Sequence, residues 1–137
     1  MNNYYKAVLL PILVGLIIFT GTCILNSNDV PDLPQGIPWD KIGHFGMFFS
    51  LSAISFFNYY RLHNGNPSTY KWIVWGFILP VIYGGVIELL QKHFFSSRSA
   101  EWGDFIADII GSLAAMVLAF YLLKRQPGQD NFSIRKN

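Results

Sequence analysis

Hydrophobic positions in this chain run together in four blocks instead of alternating with polar ones. Residues 7–25 contain no charged side chain, 42–60 contain none beyond His44, 72–90 contain only Glu88, and 105–123 contain only Asp108. Each block is about 19 residues long, close to the ~20 that an α-helix needs to cross ~30 Å of hydrocarbon. The pattern predicts an all-α membrane protein: a four-transmembrane-helix bundle within residues 1–125, followed by a disordered polar tail, 126–137. Pro11 and Pro80 fall inside blocks, where they predict kinks whose freed carbonyls are satisfied by neighbouring helices. Trp39, Trp72 and Trp102 sit near block ends, the expected place for interfacial anchors.

Composition supports lipid as the solvent. Only 13% of residues are charged, against about 25% in soluble domains. A net charge of +2 without a basic stripe argues against nucleic acid as a partner. The single cysteine, Cys23, excludes an intramolecular disulfide. Thr20-Gly21-Thr22-Cys23 raises a lipoprotein signal, but Thr22 fits the small-residue rule poorly, so the first block reads as an uncleaved anchor.

Lysine and arginine then predict orientation. Lys6, Arg61, Lys71, Lys124, Arg125, Arg135 and Lys136 flank one side of the blocks, whereas only Lys41, Lys92 and Arg98 flank the other. The positive-inside bias places both termini and the middle loop in the cytoplasm of a cell whose inner membrane holds the chain. Asp29, Asp32, Asp40, Glu88, Glu101, Asp104 and Asp108 then all fall toward the extracytoplasmic face, and only Asp130 lies inside.

Helical spacing sorts these residues into three faces. Asp40, Lys41 and His44 open the second block at i, i+1, i+4, so Asp40 can orient His44 as half of a general-base pair. The same residues also suit an N-cap, a snorkelling lysine and an interhelical hydrogen bond. Gly84, Glu88 and Gln91 share a face at the end of the third block, where the glycine admits a neighbouring helix. Glu88, at membrane depth, needs a partner such as Lys41, Lys92 or Arg98. Glu101, Asp104, Asp108, Gly111 and Ala115 form one face of the fourth block, acidic at its start and small deeper in. Arg98 is the expected counter-ion for these acids. No metal-ligand spacing is specific enough to predict a metal, and no cofactor motif occurs.

Asp40-Lys41-x-x-His44, Tyr83-Gly84-x-x-x-Glu88-x-x-Gln91 and Arg98-Ser99-Ala100-Glu101-x-x-Asp104 with Gly111 together resemble the VanZ-like family over residues 39–123. The resemblance implies a small multi-helix envelope protein; the family's namesake is linked to low-level resistance to the glycopeptide teicoplanin. It does not supply a reaction. Many relatives carry Asn where this chain carries Asp108, which adds an acid at membrane depth.

Three functions follow as expectations. In the first, the polar site (Lys41, Tyr83, Gln91, Arg98, Glu101, Asp104 and Asp108) binds an envelope component or another membrane protein. In the second, a membrane enzyme acts on a lipid-linked or head-group substrate. His44, Asp40 and Glu88 would be catalytic, with Lys41 and Arg98 holding an anionic group. The third is proton-coupled transport through Glu88 and Asp108, which four helices per chain would support only as a homo-oligomer.

Overall fold

The computed structural model describes residues 3–24, 34, 36–95 and 101–123. Arg98, most of the first outer loop and the tail 126–137 lie outside them. The described residues are helical, with no strand among them. Helix α1 is Asn3–Phe19, continued by a π-helical segment, Thr20–Ile24. Helix α2 is Trp39–Leu62. Helix α3, Thr69–Phe94, is continuous through a π-helical segment at Val74–Ile78. Helix α4 is Trp102–Leu123.

Three of these are long and apolar enough to cross a membrane: α1 over Ala7–Ile24, α3 and α4. Helix α2 has the length, at 24 residues, but not the apolarity. His44, Ser50, Ser52, Ser55 and Asn58 dilute its hydrophobic run. His44, Ser52 and Ser55 are buried, so much of this polarity faces the bundle, whereas Ser50 is exposed and turns its hydroxyl back to the Gly46 carbonyl oxygen. Conversely, Leu9, Ile12, Leu16 and Ile17 of α1 and Ile106 and Val117 of α4 face outward. An outward apolar surface on this scale suits a bilayer.

Helix α2 is the centre of the fold, and its closest neighbour is α4. Small residues on α4 make that approach possible. Gly111, Ser112, Ala115 and Ala119 are all buried. A Cβ added to Gly111 would land on the backbone carbonyl oxygen of Phe45. Backbone therefore packs on backbone, as small-residue motifs allow in membranes.

Aromatic side chains fill the space on either side of this crossing. Phe48 packs with Leu51, Ile18 and Ile87, and Phe56 packs with Trp72, Tyr59 and Ala119. Trp72 is buried and donates its Nε1–H to the Phe56 carbonyl oxygen at 2.8 Å. It is thus a core residue and not an interfacial anchor, whereas Trp39 and Trp102 are exposed.

The π-helical segment in α3 explains how Pro80 is tolerated. Proline lacks an N–H and crowds the carbonyl four residues earlier, here that of Gly76. The Leu79 N–H instead reaches the Val74 carbonyl, five residues back, which widens the turn beside the ring. Gly76 uses the same turn to seat Phe56, whose ring occupies the place a Cβ would need. The turn between α2 and α3 is equally local: Asn64 at φ 52° and Gly65 at φ 79° reverse the chain, and the Gly65 N–H donates to the Tyr60 carbonyl oxygen at 3.0 Å.

Candidate functional site

The bundle brings the start of α2, the end of α3 and the start of α4 to one end. Six residues separate Glu88 from the end of α3 and Asp108 from the start of α4, and five separate His44 from the start of α2. At 1.5 Å per residue these side chains originate about 8–9 Å inside the helix ends.

The centre of the site is His44 against Asp108. His44 Nδ1 lies 2.9 Å from Asp108 Oδ1, with the two residues 1% and 0% exposed. The contact follows from the α2–α4 crossing: Gly111 sits on Phe45, so the residue one turn earlier on α4 meets the residue before Phe45 on α2. The carboxylate accepts from Nδ1–H and so fixes the imidazole tautomer. Sequence spacing assigned that role to Asp40. In the structure Asp40 is exposed, with one carboxylate oxygen within 4.8 Å of a His44 nitrogen and an Asp104 oxygen.

Glu88 approaches from α3. Both of its carboxylate oxygens are buried, as is Asp108 Oδ2, and none of the three forms a hydrogen bond with a described residue. Its surroundings are the His44 imidazole, the carboxylates of Asp104 and Asp108, and the Glu101 backbone N–H, which does not reach bonding geometry. Gly84, one turn before Glu88, leaves room for Asp108: an added Cβ would stand 2.7 Å from Asp108 Oδ2. One ligand atom each from His44, Glu88 and Asp108 lie within 4.8 Å of one another.

An outer tier covers this inner set. Lys41 Nζ donates to Glu101 Oε2 at 2.9 Å and to Asp104 Oδ1 at 3.3 Å, linking α2 to α4. The Lys41 side chain crosses Gly103 to do so, and a Cβ there would collide with its Cε. Lys41 lies just before the apolar run 42–60. Its ammonium is thus held between two carboxylates at the start of α4. Asp40, His44 and Asp104 form a second three-residue group within 4.8 Å, sharing His44 with the inner set.

Two expected site residues are used elsewhere. Gln91 donates its Nε2–H to the Thr22 carbonyl oxygen at 2.8 Å, which ties the end of α3 to the π-helical end of α1. Tyr83 donates its hydroxyl to the Gly15 carbonyl oxygen at 2.6 Å, again on α1. Both hold the first helix to the bundle. Arg98, the expected counter-ion, falls outside the described residues. Residues that spacing alone did not single out include Ser52 and Ser112, fully buried at the α2–α4 contact with no hydrogen bond from their hydroxyls to a described residue.

Elsewhere, a cavity of about 410 Å³ opens between α1, α2 and α3. Its lining includes Pro11, Gly15, Ser55, Tyr59, Trp75 and Tyr83. It belongs to the opposite half of the bundle and does not reach the acidic end.

Compared with protein-family models, curated proteins and solved structures, the chain matches none.

Proposed function

We propose that this chain is a VanZ-like protein of the cell's inner membrane, with four spans and both termini in the cytoplasm. In this reading its acidic end faces outward and binds a polar group of an envelope component. The observation that carries the reading is the buried, under-neutralised acidic cluster at one end of an otherwise apolar bundle. Intramembrane ionisable groups are costly, and they normally mark a site or a partner. Asp40, Lys41, Glu101 and Asp104 form the rim where the component docks. Helix α2 is the fourth span, since 24 residues reach about 36 Å. Arg61 and Lys71, at the end opposite the cluster, agree with a cytoplasmic middle turn.

Two measurements test this. In a Cys23→Ser background, Glu101→Cys should react with an impermeant maleimide on intact cells, and Asn64→Cys only after permeabilisation. The reverse pattern refutes the orientation. Expression in a susceptible host should lower teicoplanin sensitivity, and Asp104→Asn should abolish the effect while the protein stays in the membrane. An unchanged susceptibility with the wild-type chain refutes the envelope role.

The His44–Asp108 pair supports a second reading, a membrane enzyme acting on a head-group substrate. Asp108 orients the imidazole and His44 moves the proton. Turnover of a lipid-linked substrate by purified protein, lost in His44→Ala, separates it from simple binding.

A further inference from the structure

We infer that His44, Glu88 and Asp108 form a binding site for a divalent transition-metal ion, zinc being the best fit. The inference rests on the inner tier of the bundle and not on the VanZ-like reading, so either can fail alone.

The three groups converge from three different helices, with one ligand atom each within 4.8 Å of the others. Their chemistry is an imidazole with two carboxylates, which matches zinc's nitrogen and oxygen preferences. The ion would take the place of the proton between His44 Nδ1 and Asp108 Oδ1, which stand 2.9 Å apart. Four-coordinate zinc has bonds of about 2.0–2.2 Å, so its ligand atoms stand roughly 3.3 Å apart. The side chains therefore need close by no more than about 1.5 Å from the observed spread. Three protein ligands leave a fourth position open on zinc.

An acidic cluster alone would not justify an ion. The second observation is what the buried oxygens lack. Asp108 is fully buried, yet its Oδ2 has no partner among the described residues. Both Glu88 oxygens are buried in the same condition. Unpaired buried carboxylate oxygens are costly. Lys41 does not relieve them, since its ammonium is held by Glu101 and Asp104.

Charge supplies a further argument. Two carboxylates and a neutral imidazole carry −2, and a divalent cation makes the set neutral. Neutrality is what a low-dielectric position requires. Gly84 belongs to the same design, because any side chain there would crowd Asp108 Oδ2.

The test is metal uptake by the purified chain in detergent, carried on a tag without histidine. After chelator treatment and dialysis against Zn²⁺, the wild type should retain one equivalent per chain. Glu88→Gln and Asp108→Asn should each weaken binding by more than the ~10–100-fold that loss of a second-shell partner costs. His63→Ala and His93→Ala, which remove imidazoles outside the set, should bind as the wild type does. Co²⁺ in place of Zn²⁺ should give a four-coordinate visible band that Glu88→Gln abolishes. If Asp108→Asn does not fold, Glu88→Gln carries the test, since its oxygens hold nothing else in place. A folded wild-type chain that takes up no zinc overturns the proposal and leaves shared protons as the neutralising agent. Loss of binding in His93→Ala overturns it equally, as adventitious surface binding. Neither result touches the labelling pattern or the teicoplanin readout.

Discussion

Replacing Gly84 with alanine places a methyl group where α3 and α4 have no room for one. Its Cβ would stand 2.7 Å from Asp108 Oδ2, 3.2 Å from Phe48 Cε1 and 3.3 Å from Asp108 Cβ. Ordinary contact begins near 3.4 Å, so the first distance is 0.7 Å short. Asp108 cannot easily retreat, because Oδ1 is held by His44 at 2.9 Å. Overpacking of this kind costs about 1–3 kcal/mol, against up to ~1 kcal/mol gained when glycine leaves a helix interior. Gly85→Ala is the internal reference. Its Cβ would meet only Phe105, at 3.5 Å, an ordinary contact. The two variants share the same helix and the same propensity gain, so their difference isolates the packing effect. We expect Gly84→Ala to be less stable than Gly85→Ala by about 1–3 kcal/mol, measured by reversible unfolding in mixed micelles followed by circular dichroism. Equal stabilities would refute the close approach of Asp108 to α3. They would also weaken the case for a shared inner site.

Gly111→Ala should disrupt the bundle more severely than Gly84→Ala, because its Cβ would meet the Phe45 backbone, which cannot rotate aside. Size-exclusion chromatography in detergent should show loss of the monodisperse species, and a wild-type profile would show that α2 and α4 are not in backbone contact. Trp72→Phe keeps an aromatic ring beside Phe56 and Phe120 but removes the donor to the Phe56 carbonyl. It should cost about 1 kcal/mol in thermal unfolding, and no change would mean that the bond contributes nothing net.

The helical blocks were legible because lipid imposes a strong length rule on apolar runs. The expected 72–90 became part of Thr69–Phe94, and 105–123 became Trp102–Leu123. The added turns at the helix starts are polar or aromatic, which hydropathy alone does not count as helix. The acidic face of α4 was also legible, because Asp104, Asp108, Gly111 and Ala115 follow helical spacing and all four are buried. The partner of His44 was not legible. Asp40 lies one turn away on the same helix, so spacing favoured it, whereas Asp108 reaches His44 only through the Gly111–Phe45 crossing. Gln91 and Tyr83 misled for a similar reason. Their residue types suit a polar site, but their partners are backbone carbonyls of α1, and any sequence can offer those.

The polarity of α2 has a consequence for how the protein is made. If α2 is the fourth span, as proposed, it reaches the membrane during synthesis before α4 exists, carrying His44 on the face that α4 later covers. Alone in lipid, His44 lacks the Asp108 carboxylate that meets its Nδ1 in the bundle, and α2 lacks the apolar run that would commit it to the bilayer at once. Its lasting residence there depends on the arrival of α4, so a chain truncated before Trp102 should leave α2 loosely held and open to quality-control proteases. The residues that shape the acidic end thereby also set the order in which the helices become a bundle.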